Sequence, residues 1–219
     1  MSVNYAEVYS KDYFSGKKSF FWKGGYGGYG ILSQLYFNNL FAPIKPYLIT
    51  KYTATVLDIG CAYGFMLERF PKNYRKFGVD VSKHAIAIAQ KRLPAGVFKT
   101  AGVEKKTPFN KDYFDLVICN DVLEHLESPA KALGHIFTSL KKNGIFYLTT
   151  PNYNWVRKVF FAYPDKTEHH ISLLPHQELA DLLTKTGFKM IDHWTFTHLL
   201  PKTKLPLAFG IESAFIVKK

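Results

Sequence analysis

Two cysteines, Cys61 and Cys119, are all that this 219-residue chain carries. Neither stands in a CxxC or Cys/His spacing, which excludes a disulfide framework and a cysteine-built zinc cluster. Both fall in apolar, strand-like contexts and read as small packing residues of a reducing compartment, so a cytoplasmic location is expected. No apolar run reaches the ~18 residues of a membrane span, so no transmembrane helix is expected. Met1 leads into polar sequence with no basic stretch followed by an apolar one, so no signal peptide is expected either. Acidic residues are scarce: 17 Asp and Glu face 29 Lys and Arg, a net charge of +12. The basic residues come in pairs (Lys17-Lys18, Lys105-Lys106, Lys141-Lys142, Arg157-Lys158) and never in a long run. That pattern favours a solvated face over a nucleic-acid footprint. A small-molecule partner is expected; an anionic substrate or a membrane surface is compatible with the charge, and nucleic acid is the less favoured partner.

What is present reads as a folded domain: 47 % apolar and 21 % charged residues. Aromatics make up 16 %, enough for a large core or for a pocket that takes a flat or cationic ligand. From residue 55 strands and helices alternate. Thr55–Ile59, Lys76–Val81, Val97–Thr100, Phe114–Asn120 and Ile145–Thr149 are short apolar runs expected as buried strands. Between them come a helix from Phe65 that Pro71 ends, one capped by Ser82, and one capped by Ser128 that Asn143-Gly144 stops. His176–Lys185 is a further helix, and Phe188–Phe196 and Ala214–Val217 are two last strands. The alternation predicts an α/β fold with a doubly wound, Rossmann-like, mostly parallel sheet and helices on both faces. Residues 1–54 break the pattern with a Gly/Tyr stretch, Gly24–Gly30, and an apolar segment interrupted by Pro43 and Pro46. They are expected to form an N-terminal cap or lid, with residues 55–219 as the cofactor-binding domain.

The strongest local signal is Val56-Leu57-Asp58-Ile59-Gly60-Cys61-Ala62-Tyr63-Gly64. A glycine turn at the carboxyl end of the first strand is where doubly wound sheets bind ligands, and its small residues let a ligand approach the backbone. The G-x-G-x-x-G spacing of dinucleotide sites is lacking; the glycines read G-x-x-x-G with Ala62 between. Asp58 just before the turn would repel a pyrophosphate and attract an ammonium or a sulfonium. S-adenosylmethionine (SAM) carries both cations and no phosphate, so the charge logic favours SAM over NAD. Asp80 ends the second strand, placed to bond ribose hydroxyls.

Asp58–Gly64, Gly78-Val79-Asp80, Phe114–Leu126 and Leu140–Asn152 together resemble the successive motifs of class I SAM-dependent methyltransferases. The resemblance implies a sheet that ends in an antiparallel strand pair. It implies that Gly60, Ala62 and Gly64 line the methionine end of SAM, that Asp80 with Val81 lies at the ribose, that Val103 and Glu104 border the adenine, and that Asn120 faces the cofactor. Family members often have an acid where Gly102 or Val103 stands here, which leaves Glu104 as the polar partner of the adenine.

Methyl transfer from a sulfonium is a direct displacement; it needs alignment and, for a hydroxyl acceptor, a base, but no obligatory metal. The N/D-P-P-Y/F signature of exocyclic-amine DNA methyltransferases is missing, as is a Pro-Cys nucleophile. Asp121, Glu124 and His125 would share one face of a helical turn, where they could form a facial metal site. A similar segment supplies metal ligands in ubiquinone-type O-methyltransferases and in small-RNA ribose methyltransferases. The same text also holds a loop in metal-free members, and that structural role is the one expected. For the base, His125 and the pair His169-His170 are the candidates. His125 has acidic neighbours expected to favour its charged form, which leaves the pair, and His170 within it, as the preferred base. Tyr13, Phe14, Trp22, Tyr26 and Tyr29 could close over the site. The expected activity is methylation of a small molecule at oxygen, with RNA ribose methylation or non-catalytic SAM binding as the alternatives.

Overall fold

A computed structural model describes residues 5–17, 31–105, 108–197 and 200–219. Eight strands form one sheet: β1 Ala54–Ile59, β2 Tyr74–Asp80, β3 Val97–Thr100, β4 Phe114–Asn120, β5 Leu140–Pro151, β6 Lys189–Thr197, β7 Leu200–Leu205 and β8 Glu212–Lys218. Their order is β3-β2-β1-β4-β5-β8-β6-β7. β1 to β5 pair in parallel, while the β5–β8, β8–β6 and β6–β7 pairings are antiparallel. The strand order reverses between β1 and β4, so the carboxyl ends of β1, β2 and β4 open on a common crevice.

Neighbouring residues on each central strand feed opposite faces of the sheet, because strand side chains alternate. Leu57, Val117, Phe146 and Phe215 face Leu133 and Ile136 of one helix (Pro129–Ser139) and Leu179 and Leu183 of another (His176–Thr186). Val56, Ile118, Tyr147 and Ile216 face Phe37, Leu40 and Phe41 of the helix Ile31–Phe41, together with Met66 and Leu67. Both faces are therefore covered, as a parallel sheet requires. The proline pair that interrupts the N-terminal segment lies in a 3-10 helix, Ala42–Tyr47, whose Ile44 is fully buried.

Two local expectations need correction. The helix after Ser128 ends at Ser139, not at Asn143-Gly144, and β5 already begins at Leu140. Asn143 sits in β5 with φ +67, and the pairing with β4 shifts register nearby; the Asn-Gly signal marks a bulged strand rather than a helix stop. The Ser128 side chain makes no capping bond; the Glu104 carboxylate accepts from the Ser128 N–H instead. The antiparallel strand pair expected at the end of the sheet is present as β6 and β8, and a further edge strand, β7, pairs with β6. The sequence Leu200–Leu205 contains Pro201 and two lysines and shows no apolar alternation, which an edge strand tolerates.

Candidate active site

The turn after β1 is shaped by left-handed residues: Gly60 at φ +72, Ala62 at +44 and Gly64 at +80. Gly60 and Cys61 both donate to the Val79 carbonyl, at 2.8 and 3.0 Å, which folds the turn onto the end of β2. A Cβ on Gly60 would collide with the Val122 side chain, so only glycine keeps this crevice open. Asp80 accepts from Ala62 N (2.9 Å) with one oxygen and from Ser82 N (2.8 Å) with the other. Burial pushes its carboxyl up to about 6 against those bonds. Asp58 is buried beside it, and burial, then the charge of Asp80, raise its carboxyl well above the usual range. Two desolvated carboxylates at one turn create a local demand for a cation.

Asp58, Gly60, Cys61, Ala62, Val79 and Asp80 line a cavity of about 760 Å³. Around the same cavity stand Val81, Val103, Glu104, Asn120, Asp121, Glu124, His125 and His170. Asn120 is fixed by Thr149, whose hydroxyl donates to its Oδ1 at 3.1 Å. The Asp121 Oδ2 accepts from the Tyr36 hydroxyl at 3.3 Å. Glu124 is fully buried and accepts from the Thr150 hydroxyl at 3.0 Å. Burial, and next Asp121, hold its carboxyl well above the usual range. Its carbonyl accepts from Ile171 N and Ser172 N at 2.8 and 2.9 Å, tying the loop after His170 to the end of β4.

Two imidazoles meet here. The His125 and His170 ring centres are 4.8 Å apart. His125 Nδ1 lies 2.8 Å from the Tyr9 hydroxyl. Burial pushes the His125 imidazole down to about 3, followed by the proximity of His170, so it is neutral. This corrects the sequence expectation: His125 is a poor base because desolvation removes its proton affinity, not because acids hold it charged. His170 Nδ1 lies 2.8 Å from Asp165 Oδ1. Asp165 in turn takes Arg157 Nε and Nη2, and Arg157 Nη1 reaches Glu212 at 2.9 Å and the Ile211 carbonyl. Arg157 is fully buried, so this member of a basic pair is not part of a solvated face. Burial raises the Asp165 carboxyl, but hydrogen bonds from His170 and Arg157 outweigh it and hold the group below the usual range.

The roof is aromatic. Tyr9, Tyr13 and Phe14, from residues 5–17, line the cavity with Tyr36 and Phe37. Trp22, Tyr26 and Tyr29 lie outside the described residues. Gly64 does not line the cavity; it heads the short helix Phe65–Glu68 and packs toward Ala89 and Leu93. His169 is exposed, lies outside this cavity, and contributes its carbonyl, 3.4 Å from His125 Nδ1. Asp121, Glu124 and His125 do not share one face of a helical turn, because Asp121 adopts φ +53 and only Leu123–His125 is helical, as a single 3-10 turn. The ligand atoms that do converge, all within 4.8 Å of one another, belong to Glu124, His125 and His170. Tyr9, Tyr36, Arg157 and Asp165 reach the site only through the tertiary fold. Nothing in their spacing points to the site; only Arg157, a cation amid an apolar stretch, carries a local hint.

The profile of the family described as "Methyltransferase domain" matches residues 34–193. A ubiquinone biosynthesis O-methyltransferase of Colwellia psychrerythraea is 26% identical over 155 residues, 64% of this chain and 63% of that protein. Another of that name from Rhodopseudomonas palustris is 33% identical over 106 residues, 46% of this chain and 41% of that protein. The chain thus spans less than two thirds of the length of these relatives. Among solved structures, a SAM-dependent methyltransferase of Thermotoga maritima superimposes with a TM-score of 0.66 at 18% identity, covering 86% of this chain and 92% of the other. One from Mesorhizobium loti gives 0.65 at 16% identity, covering 83% and 98%. The fold is theirs. The chain belongs to the SAM-dependent methyltransferase family, and its cofactor is SAM.

Proposed function

We propose that this protein methylates a hydroxyl oxygen of a small-molecule acceptor, with His170 as the general base. The observation that carries the reading is the His170 Nδ1 to Asp165 Oδ1 contact of 2.8 Å in the cavity wall. A carboxylate on Nδ1 keeps that nitrogen protonated and leaves Nε2 with its lone pair, which is the tautomer a base needs. Arg157 holds Asp165 ionised and in place.

The residues present fit the cofactor. Asp58 suits the ammonium or sulfonium, the open Gly60 turn suits a backbone-hugging methionine chain, and Asp80, Val81, Val103 and Glu104 suit the adenosine. Both Asp80 oxygens already accept one backbone N–H, and each has a second lone pair for a ribose hydroxyl. Glu104 spends one oxygen on the Ser128 N–H and has the other for the adenine. When bound, SAM supplies an electrophilic methyl on a sulfonium. The chain's own part is to align the acceptor oxygen, exclude water with Tyr9, Tyr13 and Phe14, and take the hydroxyl proton on His170 Nε2. Displacement at a sulfonium methyl needs no Lewis acid, so the reaction is metal-free in this reading. Two free buried cysteines fit a cytoplasmic setting.

The test is incubation of the protein with methyl-labelled SAM and, separately, a small-metabolite extract and total RNA. Label in an organic-soluble small product supports the reading. Label in RNA, which the charge of +12 would draw near, or no product at all, rejects it.

A further inference from the structure

We propose that a surface built from the helix Trp155–Phe160, the helix Ala162–Thr167 and the turn after β7 docks this protein peripherally on an anionic lipid bilayer. The first of these helices is inside out: its buried residue is Arg157, while Trp155, Val159 and Phe160 face solvent. The second repeats the inversion, burying Asp165 and exposing Tyr163. Leu207 and Phe209 extend the patch, and all six side chains are 49 to 72% exposed. Apolar side chains this exposed are ordinary when single; a cluster on one rim is a binding surface.

The two parts of the patch are locked together. Asn152 Nδ2 donates to the Leu207 and Gly210 carbonyls at 3.1 and 2.8 Å, and Asn154 Nδ2 to Ala208 and Gly210 at 3.1 and 2.8 Å. The Trp155 and Phe209 rings meet edge to face at 6.1 Å. The Arg157–Asp165–Glu212 ion pairs anchor both helices from below. The apolar side chains are thus held outward by a rigid polar base and cannot fold back into the core without breaking it.

Charge selects the occupant. Across residues 153–167 the exposed charges are Lys158 and Lys166, and the one acid, Asp165, is buried. Residues 200–210 carry Lys202 and Lys204 and no acid; Lys204 pairs with Asp192. Trp, Tyr and Phe bordered by lysines, with no exposed acid across residues 153–167, is the composition that lies at a lipid headgroup boundary. The lysine stems lie along the apolar layer while the ammonium groups reach anionic headgroups. A protein interface would be depleted in lysine. No helix among the described residues is long and apolar enough to cross a membrane, so attachment would be at the surface. The same helices carry Arg157, and the loop after them His170, both on the cavity wall, so docking would bring the cavity close to the bilayer.

Flotation of the full chain decides this, with vesicles of phosphatidylcholine alone and of phosphatidylcholine with about one third phosphatidylglycerol. The protein should float with the anionic vesicles and not with the neutral ones. F160A/Y163A and K158E/K166E should each lower the bound fraction at least about tenfold, with thermal midpoint and SAM affinity unchanged. Failure of the wild type to float with anionic vesicles overturns the proposal. So does undiminished binding by folded variants, which would assign the affinity to net charge elsewhere. A wild-type dimer that F160A/Y163A disperses, without vesicle binding, would give the surface to a second copy and also overturn it. Should F160A/Y163A not fold, the charge reversal at two exposed lysines reads the same outcome.

Discussion

His170 Nδ1 and Asp165 Oδ1, five positions apart in sequence, stand 2.8 Å from each other, and the His170 backbone N–H also donates to the Asp165 carbonyl at 2.9 Å. One aspartate therefore fixes both the position and the tautomer of the imidazole. His170→Ala is expected to lower single-turnover methylation about 10²–10⁴-fold with SAM affinity nearly intact. Asp165→Asn should lower it as well, since an amide can present the wrong tautomer partner. Wild-type turnover in a folded His170→Ala protein would reject the base and turn attention to an acceptor that needs none.

Arg157→Met should destabilise the fold by about 3–5 kcal/mol, because it removes the shared cation of Asp165 and Glu212 while both remain buried. Urea unfolding measures this. A loss within experimental error of zero would show that the network relaxes to water.

Gly60→Ala should cost about 1–3 kcal/mol of stability and abolish measurable SAM binding, because the added methyl meets Val122 and the residue must hold φ +72. Calorimetry with wild-type-like SAM affinity would mean that the turn moves away without consequence.

Asp80 carries a pH signature. Its carboxyl lies at about 6, so its charge is lost as pH falls through that value. Ribose hydroxyls bond the ionised form best, so SAM affinity should fall between pH 7 and pH 5, on the order of tenfold. Asp80→Ala should weaken SAM by roughly 1–3 kcal/mol at neutral pH and flatten part of that dependence. For folding the sign is opposite: a raised carboxyl pKa favours the folded protein at low pH, and that contribution is lost as pH rises through about 6. A pH-independent SAM affinity in the wild type would remove Asp80 from the ribose.

A chelator should leave methyl transfer unchanged, since His170 Nε2 cannot serve both as base and as ligand in the Glu124–His125–His170 group. Loss of activity restored by a divalent ion would replace the base reading with a metal one.

Much of the site was legible because the chemistry sits at strand ends. Asp58, Gly60 and Asp80 close β1 and β2, and a glycine turn after an apolar run announces itself locally. Glu104 could be placed near the cofactor but not given its second task, capping the N–H of Ser128, because that bond spans 24 residues. The state of His125 is set by the fold for a like reason. Its sequence neighbour Glu124 does stay beside it, 3.9 Å from Nε2, but Tyr9, His170 and the His169 carbonyl close the ring off from water, and burial outweighs the neighbouring charge. Arg157 looked like surface charge because nothing adjacent in sequence announces Glu212, 55 residues away.

The sequence by itself determined the alternating elements, the doubly wound order and the cofactor turn, because hydrophobic period and glycine placement are properties of a few consecutive residues. The tertiary structure alone decided which histidine has an oriented lone pair, which arginine is buried, which residues roof the cavity and which aromatics stay outside. Those outcomes depend on desolvation and on partners brought together across the fold, and neither quantity exists in an unfolded chain.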